Sequence, residues 1–190
     1  MINMHEIKKG QAVLVDGQPY FVHDFKRAGT GQRRPVLHVK LRHVLTGALT
    51  ERTLSEKDTL EEPDLEKVTA RYSYRSGDAF VFLDKKSYEP VELKAELIGD
   101  AQDLLVDELE VRVLILDGTP VGVELPPTVT LEVLETPEQQ KGSAGSRTSS
   151  VGKPAKLQNG VEIEVPLFIK QGEKIRISTD TREYQGKEKE

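Results

Sequence analysis

Among its 190 residues the chain has no cysteine and no tryptophan, and only 5% of its side chains are aromatic. Without cysteine, disulfide frameworks, thiolate-held zinc, thiol nucleophiles and iron–sulfur clusters are excluded. The absence agrees with a reducing compartment. Scarce aromatics argue against a surface that binds single strands by stacking successive bases. No apolar run approaches ~18 residues, so no segment reads as a membrane-spanning helix. Residues 1–10 carry Glu6, Lys8 and Lys9 and no apolar stretch, and so do not read as a signal peptide. The expectation is a cytoplasmic protein without membrane contact.

Catalytic motifs are missing as well. The sequence holds no glycine-rich phosphate loop, no Gly-x-Ser-x-Gly and no His-Glu-x-x-His. Three of the four histidines, His23, His38 and His43, lie on or near a basic stretch, where repulsion disfavours a metal cation. Asp100, Asp103, Asp107, Glu108 and Glu110 are close in sequence, but acid–base work needs one carboxyl buried with a raised pKa. They read as a solvated face. His38 and His43 are possible general bases without a nucleophile nearby in sequence. No enzyme, metal or cofactor is expected.

What the sequence does contain is an uneven charge. The formal net charge is −5, which by itself disfavours binding to phosphate. Residues 66–129 account for it, with 7 Lys and Arg against 13 Asp and Glu; residues 1–65 carry 10 against 9, and residues 130–190 carry 10 against 10. Between His23 and His43 stand Lys26, Arg27, Arg33, Arg34, Lys40 and Arg42, opposed only by Asp24. Such a protein can touch phosphate with one arm and repel it elsewhere. A solvated charged hairpin is the plainer reading of the same residues.

Short apolar runs separated by turn signals predict a mostly β protein built from small barrels. Asp16-Gly17 between residues 12–15 and 20–22 reads as a hairpin turn, as does Asp117-Gly118 between 110–116 and 120–125. In 35–42, Leu37, Val39 and Leu41 share one face, and Val36, His38, Lys40 and Arg42 the other. Residues 49–54 follow the turn at Thr46-Gly47. Residues 56–66 read as an acidic connector. Ala70, Tyr72 and Tyr74 alternate on a strand over 68–74, which is paired through Ser76-Gly77-Asp78 with 79–83. Residues 93–106 form the best helix candidate, with Gly99 its weak point. Pro126-Pro127 marks a break. Beyond it strands are predicted over 129–134, 161–165 and 175–178, with a mobile loop over 139–152 and a frayed tail over 185–190.

Residues 153–173 carry a longer pattern: Lys153, Ala155, Gly160, then Ile163, Val165 and Pro166, then Gly172 and Glu173. It resembles the signature of the elongation factor P family. Asp16-Gly17 through Val22, then 29–34 and 39–42, is similar to that family's first domain, in which two strands flank a basic loop. Pro126-Pro127-Thr128-Val129 resembles its passage from middle to last domain. The resemblance covers essentially the whole chain. It implies three small β-barrels in an elongated L shape: an SH3-like domain over 1–65, an acidic OB-fold domain over 66–128 and an OB-fold domain over 129–190.

The same resemblance implies a monomeric translation factor whose partners are the ribosome and peptidyl-tRNA. Its first-domain loop would reach the tRNA CCA end and promote peptide-bond formation at stalls such as consecutive prolines. Counting from Asp16-Gly17 or from Thr46-Gly47 places the family's loop tip at Gln32, between Gly31 and Arg33. Matching Gly-x-Gly instead puts Thr30 at the tip and needs compensating gaps. The best-known members carry a modified lysine there; neither residue has an amine, and Arg33 or Arg34 would supply the cation. Lys26, Arg27, Lys40 and Arg42 would contact RNA, and Tyr184 and Lys187 match an aromatic and a basic position placed against ribosome and tRNA. The other reading is an OB- or SH3-type RNA-binding or adaptor module outside translation.

Overall fold

A computed structural model describes residues 1–29, 34–138 and 152–188. Three antiparallel sheets follow one another along the chain.

The first sheet has strands β2 (Ala12–Val15), β3 (Gln18–Ala28), β4 (Val36–His43) and β5 (Leu49–Ser55), in that order. A two-stranded pair, β1 (Ile2–Asn3) with β6 (Thr59–Leu60), packs beside it. The connector expected over 56–66 thus contains a strand, and Leu60 is buried. Asp16 takes φ 52° and Gly17 φ 76°, so the chain reverses in two residues with the twist that antiparallel strands need. Leu37, Val39 and Leu41 point into the core, as their alternation predicts.

The second sheet runs β11 (Thr119–Glu124), β10 (Glu110–Leu116), β7 (Glu66–Ser76), β8 (Ala79–Asp84), β9 (Pro90–Lys94). Ala70 and Tyr72 are buried, but Tyr74 is exposed. The alternation fails there because the β7–β8 register slips between Tyr72 and Tyr74, and a bulge turns the following side chains to the other face. The helix expected over 93–106 is also corrected. Leu93 belongs to β9, opposite Phe80. Only Ala95–Ile98 (α1) is α-helical, and Gly99–Leu104 is a 3-10 helix. Gly99, at φ 60° and ψ −138°, cannot continue an α-helix, so the apolar spacing is shared among three elements.

The third sheet is ordered β14 (Glu162–Pro166), β13 (Gly152–Leu157), β12 (Thr128–Glu135), β15 (Lys174–Ser178), β16 (Tyr184–Lys187). β13 escapes sequence reading because Lys153, Pro154 and Lys156 look like loop. Lys153, Ala155 and Leu157 nevertheless face inward, and the buried Lys153 ammonium donates to the Pro137 carbonyl at 2.6 Å. The tail does not fray at 185: Ile175 pairs with Lys187 and Ile177 with Tyr184. The loop expected over 139–152 lies outside the described residues except for Gly152, which opens β13.

Candidate functional site

β3 and β4 pair from Tyr20 opposite His43 to Ala28 opposite Val36. Beyond Val22 the β2 side of β3 is open, because the β2 ladder ends at Ala12 opposite Phe21. The hairpin therefore presents one face and one edge to solvent. At its end Gly29 has φ 136°, and a Cβ there would lie 2.9 Å from the Pro35 Cα. The two strands are pinched together at Gly29 and Pro35, fixing both ends of the segment between them. Thr30, Gly31, Gln32 and Arg33, the residues expected at the loop tip, lie outside the described residues. Arg34 is exposed.

Cross-strand register sorts the outer face into rows. Asp24, Lys40 and Glu51 form one row. Its charge is largely balanced: Lys40 lies 3.5 Å from Glu51, and Lys9 lies 2.7 Å from Asp24. The hydrogen bond from Lys9 holds the Asp24 carboxyl below its ordinary pKa. Nearer the loop, Lys26 stands opposite His38, whose Nδ1 is 3.0 Å from the Thr53 hydroxyl. Among the described residues Lys26 and Arg34 have no carboxylate partner. Arg27 donates to the His5 carbonyl at 3.3 Å and sits 6.0 Å from the Phe25 ring centroid. The unbalanced positive charge is thus gathered at the loop end, on Lys26, Arg27 and Arg34.

Arg42 does not join this face. Its guanidinium is half-buried and donates to the Leu97 carbonyl of α1 at 2.9 Å. Burial holds its pKa down, against the opposing pull of Asp100 and Glu96. His43 caps the next turn: its Nδ1 accepts from the Leu45 and Thr46 amides at 3.2 and 3.3 Å. That requires the tautomer with its proton on Nε2, which points at the Gln18 amide oxygen. His43 is therefore engaged in structure, as is His38.

The two C-terminal candidates sit far along the chain from the hairpin, in β16. Tyr184 packs against the third core. Lys187 donates to Glu173 at 2.7 Å and lies 5.3 Å from the centroid of the exposed Phe168 ring. The carboxylates of residues 100–110 do not converge. Glu108 pairs with Arg71, Glu110 with Lys85 and Asp103 with Arg182. Arg182 was not legible as a contact residue; it lies in the polar turn after β15 and carries no pattern signal.

Three family models match the chain in succession. The elongation factor P (EF-P) KOW-like domain matches residues 3–60, the elongation factor P (EF-P) OB domain residues 65–123, and elongation factor P, C-terminal, residues 129–187. Elongation factor P of Synechococcus sp. (strain JA-3-3Ab) is 40% identical, with 99% of this chain and 100% of that protein covered. The protein of the same name from Thermotoga petrophila is 39% identical over 98% of this chain and 100% of its own. Among solved structures, eukaryotic translation initiation factor 5A from Methanococcus jannaschii aligns at TM-score 0.38 and 21% identity, over 65% of this chain and 93% of that one. Matched along its whole length by these three domain models and by relatives at this identity, the chain belongs to the elongation factor P family of translation factors.

Proposed function

We propose that this protein binds the ribosome beside peptidyl-tRNA and speeds peptide-bond formation at stalls such as consecutive prolines, as a monomer and without chemistry of its own. The observation that carries the reading is the hairpin: in a family member, the exposed cations of β3 and β4 that lack carboxylate partners among the described residues stand at the loop end. There Lys26, Arg27 and Arg34 flank the residues among which the tip is expected, Gln32 or, with compensating gaps, Thr30. Phosphate contacts of this kind position a protein on RNA. A steadied CCA end gains rate because a poorly aligned proline nucleophile loses near-attack geometry. The ribosome remains the catalyst.

In this reading residues 1–65, 66–128 and 129–190 are the working domains, and the acidic middle one faces away from RNA. Lys40 contributes as part of a neutralised row and less than Lys26. Tyr184 and Lys187, both in β16, contribute a secondary contact apart from the hairpin. The cytoplasm is where such a factor acts.

The test is a reconstituted translation reaction making a reporter with three consecutive prolines. Purified protein is expected to raise full-length synthesis, Gln32→Ala to lose most of the gain, and Thr30→Ala to keep it. If Thr30→Ala loses it instead, the tip is Thr30. No gain at any protein concentration rejects the reading and favours an adaptor role outside translation.

A further inference from the structure

The helical segment that sequence reading mistook for a plain helix is gripped from both sides. From the first sheet, Arg42 donates to the Leu97 carbonyl at 2.9 Å, and a Cβ at Gly99 would stand 3.7 Å from its guanidinium. From the third sheet, Arg182 donates to the Asp100 carbonyl at 2.9 Å and lies 3.4 Å from the Asp103 carboxylate. The Asn159 side chain also donates to the Asp103 carbonyl, and Leu104 is buried in the core of the third sheet. A cleft of about 570 Å³ lies along the same segment, lined by Arg42, Leu97, Asp100 and Arg182 among others.

These contacts differ from ordinary surface ion pairs. Two guanidinium groups reach backbone carbonyls at the C-terminal end of α1 and in the 3-10 turn after it. Such carbonyls lack helical partners and accept charged donors well. The contact beside Arg42 is apolar and close: Phe21 is buried with Val44, Leu114 and Val121, and a Cβ on Gly122 would come within 2.9 Å of the Phe21 ring. The first sheet therefore rests on the second through a tight apolar seat, with the Arg42 guanidinium beside it.

We propose that residues 97–103 are a keystone fixing the first sheet relative to the third, and that Arg42 is a positioning residue, not an RNA contact. Through it the orientation of the basic hairpin is set before the ribosome is met. This rests on the reading of the hairpin given above. A loop that must meet the CCA end within about an ångström gains from being held by packed elements rather than by a free joint.

Because the chain has no cysteine, one spin label can be placed at each of Lys57→Cys, exposed in the turn after β5, and Glu162→Cys, exposed at the start of β14. The distance distribution between them is measured by pulsed electron resonance in the free full-length protein, without ribosomes. It is expected to be narrow with Arg42 in place and to broaden or shift in Arg42→Met, which keeps an unbranched apolar stem but removes the donors. Arg42→Lys should restore part of the narrow population. Losing a charged hydrogen bond should move the closed-to-open ratio by roughly tenfold or more. Gly122→Ala, which crowds the Phe21 ring on which the Arg42 guanidinium lies, should shift the same distance.

In the proline reporter, Arg42→Met should lower the maximal gain while leaving the half-saturating concentration nearly unchanged. An unchanged distance distribution in Arg42→Met overturns the keystone. So does a rise in half-saturating concentration that steepens with salt, the mark of a lost phosphate contact. If the parent protein gives no gain in the reporter, the functional reading fails while the distance measurement still decides the keystone.

Discussion

Gly29 shows how much one missing side chain can decide. At φ 136°, with the Pro35 backbone 2.9 Å from where a Cβ would stand, any substitution must part the two strands. Gly29→Ala is expected to cost about 1–3 kcal/mol, read as a lower thermal midpoint, and to reduce the proline-reporter gain by more than the stability loss explains. Glu173 makes a second case. The hydrogen bond from Lys187, helped by the Lys170 amide, holds its carboxyl below the usual carboxylate range. A depressed folded-state pKa adds stability at pH values above the unfolded one, and that stability is lost as pH falls through the folded value. Wild-type protein should therefore lose more stability than Glu173→Gln between about pH 5 and pH 3, measured by urea midpoints at each pH. Equal losses would mean that the pair does not act on folding.

At the scale of elements, what was readable from sequence followed from local rules. The two Asp-Gly turns, the alternation in β4 and the strands β10 and β11 each follow from a pattern a few residues long. Three features did not, each for a physical reason. The bulge after Tyr72 resets a face without leaving a sequence mark. β13 hides a buried lysine and a proline in what looks like loop, because its partners β12 and β14 supply the pairing. The apolar spacing of residues 93–105 is real but is divided among β9, α1 and a 3-10 turn by one glycine. Leu131 and Leu134 test the alternation in β12 with one residue type. Leu131 is fully buried, whereas Leu134 is 41% exposed. Leu131→Ala should cost about 2–5 kcal/mol and Leu134→Ala no more than about 0.5 kcal/mol, by denaturant titration.

For the whole molecule, charge and connection matter more than any single pocket. The chain is acidic, yet within the hairpin the exposed cations without carboxylate partners among the described residues stand at the loop end, and its register keeps the neutral row behind them. The basic hairpin was legible in the sequence as a cluster. Which of its residues face outward was not, because Arg42 differs from Lys40 only in what lies across the junction with α1. Lys26→Glu should weaken ribosome binding and lower the slope of log affinity against log salt by about 1 or more. Lys40→Glu, in the balanced row, should have a smaller effect on both.

A hairpin that speeds bond formation by placing the CCA end must act on a single chemical step. The most direct measurement is the rate of a single peptide bond on purified ribosomes, between a peptidyl-tRNA ending in proline and an incoming prolyl-tRNA, with and without saturating protein. The expected result is a faster rate with protein, a gain much reduced by Gln32→Ala, and little change when the incoming residue is a fast-reacting one. An unchanged rate with proline, under conditions where the protein is bound, would contradict it.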